Sequence, residues 1–187
     1  EGFATYELNA DASKVKLGPG IIGGEVNRRL APFGKKIGPD PASINACKIG
    51  GIAANNASGM CCGTAQNSYR TVAGMRVMLA DGTLLDTEDP ISIAAFSQSH
   101  AVLLGEFGVI ALVDYVDPID ILSHLMIGSE GTLGFISRIT YNTVVEDPYK
   151  ASALVFFPNI RTACEAVIRL KLQPVSAVEL LDRPALH

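Results

Sequence analysis

The sequence predicts a fold that mixes α-helices with β-strands, and three observations support that prediction. Short segments near the N-terminus alternate apolar and polar residues, which is the period of a strand. The pair Asp81-Gly82 stands between two apolar runs and is among the strongest short-range signals of a β-hairpin. Other segments repeat apolar residues three and four positions apart, as amphipathic helices do. A long stretch, Gly38–Gly63, follows neither period and precedes the hairpin.

The N-terminal elements are predicted to be two strands and one helix. Residues 1–10 set apolar side chains among polar ones and indicate a strand, and residues 14–20 indicate a second strand that ends in Gly-Pro-Gly. Residues 23–34 then place three apolar side chains, the last of them Phe33, on one helical face. Gly34 follows directly, which suits a helix that ends there.

The middle of the chain is predicted to hold the hairpin and two helices. Residues 71–87 form the predicted hairpin, and residues 89–106 change to a helical pattern. Residues 107–115 then have the character of a strand, although no turn residue precedes them, so a segment is expected to be missing at this point. Asp117 before Pro118 predicts the capped start of another helix.

A second glycine-rich turn, GSEGTLG at residues 128–134, follows that helix. The alternating segment at 135–144 comes directly after the turn and indicates a strand. A loop between two such elements can present backbone to a ligand, or it can be an ordinary cluster of turn residues.

Glu146-Asp147-Pro148 is expected to end the first domain, because charge and proline interrupt the pattern there. Beyond it the sequence predicts a buried strand at 151–158, an amphipathic helix at 159–173 and a further strand from residue 174. This β-α-β unit gives two predicted domains, 1–147 and 148–187.

The composition excludes several classes of protein. Of 187 residues, 48% are hydrophobic and 18% are charged, so a core is readily filled and the thinly charged surface suggests cover by more protein or by a cofactor. The net charge of −4 provides no basic footprint for nucleic acid. No apolar run approaches the roughly 20 residues that span a bilayer.

The cysteines and histidines suggest neither a disulfide framework nor a metal centre. The three histidines are too scattered for the spacing of a metal site, and none is predicted. Reduced thiols in a cytosolic protein are expected for the four cysteines, since an adjacent pair would make a strained disulfide. These residues are Cys47, Cys61, Cys62 and Cys164.

The stretch Gly38–Gly63 offers backbone rather than side chains. Its glycines permit close approach, and its low charge argues against a disordered linker, so we interpret it as a loop that lies against a large ligand. Asp40 lies between two prolines, which stiffen its backbone and aim its carboxylate; alternatively it caps a helix over residues 42–47. Asn55 and Asn56 can bond a polar ligand, although such residues more often cap their own turn.

Two common nucleotide-binding patterns are absent. The spacing G-x-G-x-x-G of a dinucleotide fold does not occur between a strand and a helix. Gly34-Lys35 is the only Gly-Lys pair, and it lacks the Ser or Thr and the upstream glycine of a phosphate-binding loop.

A resemblance to a known family is carried by three segments in this order: PDPASINACKIGGIAANNASGMCCG, NSYRTVAGMRVMLADGTLL and LMIGSEGTLGFISRITYNTV. Together they resemble the FAD-linked oxidases, also described as vanillyl-alcohol-oxidase or PCMH-type flavoproteins, in the branch of D-lactate and D-2-hydroxyglutarate dehydrogenases. The resemblance implies an α+β fold: the second subdomain of a PCMH-type FAD-binding domain, with a mixed or antiparallel sheet flanked by helices, followed by the first β-α-β of a cap domain. It also implies that the family's N-terminal pyrophosphate-binding subdomain is missing from this chain.

The same resemblance implies an FAD site built mainly of backbone, because a flat ring and two phosphates need close approach of N–H groups. The first glycine-rich stretch would line the flavin and the pyrophosphate, and the strand after GSEGTLG would contact the adenosine end. The residues implied to bind the cofactor are Pro39, Asp40, Pro41, Ser43, Gly50, Gly51, Asn55, Asn56, Ser58, Gly59, Gly134 and Ile136.

The implied reaction is oxidation of a small D-2-hydroxy acid by hydride transfer to flavin, with electrons passed to an iron–sulfur module or a quinone-linked carrier. A cytoplasmic location, or association with a membrane through that carrier, is expected. No catalytic residue is predicted, because the family's histidine-rich motif lies in the cap domain. His100 and His124 are expected to be packed or surface side chains, and Cys61 and Cys62 to be packed rather than linked to flavin. By itself, the 187-residue chain is expected to bind FAD weakly and to lack activity.

Two alternatives stay open. The fold can serve as a PCMH-type interaction module without catalysis, although so many glycines argue that the cofactor loop is retained. The protein can also be an FAD enzyme for another substrate class, such as an alcohol, a sugar lactone or a cell-wall precursor.

Overall fold

The computed structural model describes residues 2–107, 114–170 and 172–182, and an antiparallel sheet of six strands is its central element. The strands run in the spatial order β1-β2-β6-β4-β5, and β3 also pairs with β6. Their bounds are β1 Tyr6–Leu8, β2 Lys14–Leu17, β3 Lys35–Ile37, β4 Val72–Leu79, β5 Leu84–Asp86 and β6 Gly134–Val145.

Strand β6 holds this sheet together, because it pairs antiparallel with three other strands along its 12 residues. On its inner side, Ile139 lies opposite Leu17 of β2 and opposite Met75 of β4, and all three side chains are fully buried. The register between β4 and β6 shifts twice. Such bulges increase the local twist of a sheet.

Helices cover one face of the sheet, which we call the inner face. Val26 and Leu30 from α1 and Ile49 and Ile52 from α2 pack with the inner strand residues in the main core. A smaller core joins β5 to the later helices around Phe96. The helices are α1 Gly23–Leu30, α2 Ile49–Ala54, α3 Ser68–Thr71, α4 Pro90–Ser99, α5 Ala101–Phe107, α6 Pro118–Met126 and α7 Ile160–Leu170.

Most elements before residue 147 confirm the predictions. Both N-terminal strands form, and β4 and β5 make the hairpin around Asp81-Gly82, where Gly82 adopts a φ of 85°. Asp117 caps α6 with its side chain, which accepts hydrogen bonds from the backbone N–H groups of Ile119 and Asp120. The short strand β3 and the helices α2 and α3 had no sequence signal strong enough to predict them.

The first predicted helix is confirmed except at its end. Phe33 is 55% exposed and does not join the inner face. The chain tightens into a 3₁₀ turn over Ala31–Phe33, and Gly34 then turns left-handed with a φ of 64°. A 3₁₀ turn has three residues per turn, so it rotates Phe33 away from the stripe that an α-helix would continue.

The helical pattern at 89–106 forms two helices rather than one. The chain bends at His100, where α4 ends, and α5 begins at the next residue. The strand-like segment at 107–115 lies largely outside the described residues, since 108–113 are not described.

The two strands predicted beyond Asp147 are wrong within the described residues, whereas the helix between them forms as α7. Residues 151–157 and 172–182 adopt no strand, and Val155 and Phe156 are largely exposed. Alternating or apolar residues become a strand only where a neighbouring strand satisfies their backbone groups, and the described part of the chain offers none there. None of the described helices has the length and apolarity to cross a membrane.

A buried hydrogen bond provides a test of this packing. The hydroxyls of Ser68 and Tyr141 lie 2.7 Å apart, both residues are fully buried, and burial raises the pKa of Tyr141 well above its ordinary value. We expect Tyr141→Phe to lower the free energy of unfolding by about 1–3 kcal/mol, because Ser68 is left without a partner in a dry site. Urea unfolding of the two single variants and of Ser68→Ala/Tyr141→Phe measures the coupling. If the losses in free energy of unfolding of the two single variants add up to that of the double variant, the two hydroxyls do not interact.

Candidate functional site

The two glycine-rich stretches lie side by side at the end of helix α2. We call them loop A (residues 38–63) and loop B (residues 128–134). The backbone N–H of Gly128 donates to the carbonyl oxygen of Ala53 at 3.1 Å, and the N–H of Glu130 donates to that of Ala54 at 2.9 Å. Loop B therefore caps the last carbonyls of the only α-helix within loop A, groups that a helix end leaves without intrahelical partners.

Both loops hold residues in the left-handed region. Asn56 has a φ of 48° and Glu130 a φ of 54°, and residues other than glycine rarely adopt such positive values. Asn56 is fixed by two hydrogen bonds: its N–H donates to Ala53 at 3.0 Å, and its Oδ1 accepts from the N–H of Tyr69 at 3.1 Å. The side-chain oxygen of Asn56 therefore binds the backbone of α3, 13 residues further along the chain, and does not cap its own turn. Asn55 beside it is exposed.

The carboxylate of Asp40 holds loop A closed on itself. Its Oδ2 accepts from the backbone N–H of Cys61 at 3.2 Å, and its Oδ1 accepts from that of Cys62 at 3.1 Å. Residues 42–47 form a hydrogen-bonded turn without becoming a helix, and Asp40 does not cap it. The aimed carboxylate thus binds backbone 21 and 22 residues further along the chain.

The glycines divide into two groups by what a side chain would meet. A Cβ at Gly59 would lie 1.9 Å from the carbonyl oxygen of Asp40, and one at Gly134 would lie 2.8 Å from that of Met78. Close packing therefore requires glycine there. Gly50 belongs to the same group, because its Cβ would lie 2.8 Å from Pro19.

The second group of glycines faces open space. Nothing lies within 4 Å of a Cβ built at Gly51 or Gly131, and both residues are exposed. Gly131 also has a φ of 77°. Backbone at these two positions can be approached by a flat or anionic ligand without displacing protein atoms.

The remaining predicted site residues take several positions. Pro39 and Pro41 are buried and anchor loop A on either side of Asp40. Ser43 and Ser58 are exposed on the loop. Ile136 points into the main core, so only its backbone on β6 remains for any contact with a ligand.

The two adjacent cysteines differ in environment, and all four cysteines are free thiols. Cys62 is buried, as predicted, and its Sγ accepts from the N–H of Gly59 at 3.1 Å. Burial and hydrogen bonding to Asp40 raise the pKa of the Cys62 thiol. Cys61 is exposed, so the expectation that both are packed is wrong for this residue.

A cleft of about 240 Å³ between the start of β4 and helix α6 lies apart from the predicted residues, none of which lines it. His124 lies at its edge and stacks on Tyr115 with ring centroids 3.6 Å apart. Its Nδ1 lies 2.7 Å from the carbonyl oxygen of Asp120. His100 packs on Phe96, in keeping with the expectation of packed histidines. Within the described residues, no group of three or more His, Cys, Asp and Glu side chains is arranged to hold a metal ion.

The two thiols give a prediction about loop A. We expect iodoacetamide to label Cys61 at least about tenfold faster than Cys62 at pH 8, because thiolate is the nucleophile and a raised pKa leaves less of it. Labelling of Cys62 should accelerate as the pH rises toward its raised pKa. Asp40→Asn should bring the rate at Cys62 toward that at Cys61, since an amide cannot accept both N–H bonds.

Peptide fragmentation by mass spectrometry separates the two positions. Asp147→Asn serves as the matched control, because Asp147 is exposed and lies outside both loops. Equal labelling of Cys61 and Cys62 in the unmodified chain would contradict the burial of Cys62.

Comparisons with known proteins point to an FAD-binding domain. Residues 3–88 match a family model described as an FAD binding domain. The chain is 26% identical over 186 residues to the glycolate oxidase subunit GlcD of Bacillus subtilis, covering 96% of this chain and 34% of that protein. It is 28% identical over 180 residues to a probable mitochondrial D-lactate dehydrogenase of Danio rerio, covering 94% and 32%. The chain thus spans about a third of the length of the curated relatives it matches.

A solved structure titled alkyldihydroxyacetonephosphate synthase shares the fold. The superposition has a TM-score of 0.52 at 19% identity and covers 76% of this chain and 22% of that one. The antiparallel sheet flanked by helices is therefore the architecture expected of a PCMH-type FAD-binding fold. On the domain match, the relatives and this fold, the chain is similar to FAD-linked, PCMH-type oxidoreductases, and FAD is the cofactor that these similarities support.

Proposed function

We propose that this chain forms part of an FAD-dependent dehydrogenase that oxidises a small D-2-hydroxy acid. The observation that supports it best is the joining of loop A to loop B by two backbone hydrogen bonds at the end of α2. Two glycine-rich segments that are 65 or more residues apart in sequence thereby become one continuous surface of backbone. A flavin with its pyrophosphate is a ligand that such a surface fits, since ring and phosphates both need close approach.

The open glycines support the placement of the cofactor on this surface. Gly51 on α2 and Gly131 in loop B present backbone that no protein atom covers. Asn55 is exposed beside them and supplies an amide that can donate or accept. When bound, FAD supplies the electron acceptor for oxidation of an alcohol carbon, so the protein contributes position and electrostatics.

Other predicted residues are proposed to act through the shape of the loop. Asp40, Pro39 and Pro41 fix the path of loop A, and Gly59 lets it pack against Asp40. Gly134 lets β6 approach Met78, so the position of loop B depends on it as well. This division separates residues that touch a ligand from residues that shape the loop.

The substrate class is proposed from the relatives. One is named for glycolate and the other for D-lactate, both small 2-hydroxy acids. We propose the same class for this protein, with an iron–sulfur module or a quinone-linked carrier as electron acceptor, in the cytoplasm or at a membrane through that carrier.

We also propose that the FAD-binding domain ends near Asp147. Strand β6 ends at Val145, and Glu146 pairs with Lys36 of β3 at 4.0 Å and with Lys150. Beyond this point most described apolar side chains are exposed, as expected for the start of a substrate domain whose packing partners lie elsewhere.

Gly51 gives a direct test of the cofactor surface. We expect Gly51→Leu in the complete protein to weaken FAD binding at least about tenfold, because the side chain would occupy the open space over α2. The thermal stability of the cofactor-free form should not fall, since leucine favours a helix and meets no atom there. Flavin content is read from the two absorption bands near about 370 and about 450 nm.

Gly105→Leu is the matched control, because Gly105 is exposed on α5 and also meets no atom within 4 Å. Equal flavin content in the two variants would argue against a cofactor at α2. A complete protein that purifies and refolds without flavin bands would instead support the alternative of a PCMH-type interaction module.

A substrate panel tests the proposed reaction. The complete protein is expected to reduce an artificial electron acceptor with D-lactate, D-2-hydroxyglutarate or glycolate, and at least about tenfold more slowly with the L-acids, since a fixed flavin face accepts hydride from one side. Reduction by simple alcohols or sugar lactones in preference to these acids would place the protein in another substrate class.

A further inference from the structure

The face of the sheet opposite α1 and α2, which we call the outer face, carries two adjacent rows of side chains. In the first row, Arg76 of β4 lies directly opposite Arg138 of β6 on one side and Asp86 of β5 on the other. In the second row, Met78 of β4 lies opposite Phe135 of β6 and Leu84 of β5, and each of these side chains is more than one-third exposed. Arg76 and Met78 are two residues apart on one strand, so the two rows share the outer face.

The charged row has one carboxylate for two guanidinium groups. Asp86 forms a hydrogen-bonded ion pair with Nη2 of Arg138. Among the described residues, Arg76 has neither a side-chain hydrogen bond nor an ion pair. The Nε atoms of Arg76 and Arg138 are both buried without a partner. Like charges directly opposite each other destabilise a sheet, and an unpaired buried donor adds to that cost.

Glu88, a further carboxylate on the outer face, already has partners. Glu88 accepts a hydrogen bond from Oγ1 of Thr140 at 2.7 Å and pairs with Lys16 at 3.3 Å. Its side chain lies across Gly74, where an added Cβ would be 2.5 Å from Glu88 Cγ. Glu88 therefore neutralises the β2 side of the outer face, and the charge on Arg76 has no partner of its own.

The apolar row extends beside the unpaired charge. Phe135 is 49% exposed, and the ring of Phe3 meets it edge-on at 5.7 Å between centroids. Aromatic residues, methionine and arginine are enriched in the cores of protein–protein interfaces. The outer face thus combines the unpaired positive charge of Arg76 with exposed apolar side chains.

We propose that the outer face around Arg76 is a docking surface for a protein segment that carries an aspartate or glutamate next to large apolar side chains. The carboxylate pairs with the guanidinium of Arg76, whose planar fork can bind it in a bidentate manner. The apolar neighbours of that carboxylate cover Met78, Phe135 and Leu84. This surface lies on the side of the sheet away from the helices, so the proposal goes beyond FAD binding and does not depend on it.

A selection from phage-displayed random 12-residue peptides tests this proposal on the complete protein. We expect enriched peptides to carry an acidic residue beside aromatic or aliphatic residues. Changing that acid to its amide should weaken binding at least about tenfold on the unmodified chain, measured by fluorescence anisotropy, since an ion pair that excludes water is lost. On Arg76→Gln the same change should have less than about a twofold effect.

Arg169→Gln is the matched control, because Arg169 is exposed on α7 and far from the sheet in sequence; it should leave binding unchanged. A selection without acidic enrichment, or peptides indifferent to Arg76→Gln, would overturn the proposal. Light scattering gives a third outcome that would overturn the proposal: a dimer of the unmodified chain that dissociates in Arg76→Gln. The occupant of the surface would then be a second copy of the chain.

Thermal unfolding separates docking from a structural role for Arg76. We expect Arg76→Met to raise the Tm by about 2–4 °C, because it removes an unpaired charge and keeps the side-chain length. A lower Tm for Arg76→Met than for the unmodified chain would assign Arg76 to the folding of the sheet and overturn the proposal.

Discussion

The hydrogen bonding of β6 is the constraint on which the rest of the structure depends. This strand follows loop B directly and pairs with β2, β3 and β4, so its register fixes where loop B lies. Helix α2 packs on the inner face of the same sheet through Ile49 and Ile52. Because both loops are positioned by one strand, two backbone hydrogen bonds between them suffice to align their surfaces. A cofactor site made of backbone needs this rigid support, since loops alone place donors poorly.

Only some of the glycines in the two loops indicate a ligand. Gly59 and Gly134 are glycine because protein atoms stand where a side chain would be, and Gly50 is crowded in the same way. Only positions such as Gly51 and Gly131 face open space. The richness in glycine that first suggested a ligand therefore has two causes, close packing and open backbone. The second cause alone bears on FAD, which narrows the candidate contacts to a small part of the two loops.

The sequence predicted those features of the fold that depend on interactions between residues close together in the chain. The Asp81-Gly82 turn, the Asp117 cap and the buried stripe of α1 each depend on residues within one or two turns. Each forms as predicted, except that Phe33 at the end of the stripe is exposed. The predicted strands beyond residue 150 failed because a strand depends on a partner that sequence pattern does not reveal. The role of Asp40 was missed for the same reason, since its partners lie 21 and 22 residues away and are backbone groups. The family motifs predicted the cofactor, but not which residues serve the shape of the loop.

Asp40 and Arg76 differ in whether their charges have partners within the fold. Asp40 is partly buried, and both of its oxygens accept backbone N–H bonds, so its charge is used within the fold. Arg76 lies on the outer face beside Arg138, and the only carboxylate in its row is bound to Arg138. Proteins depart from optimal charge pairing most often at functional sites. Since the neighbouring row is apolar and exposed, a second protein surface explains both the unmatched charge and the uncovered side chains with one contact.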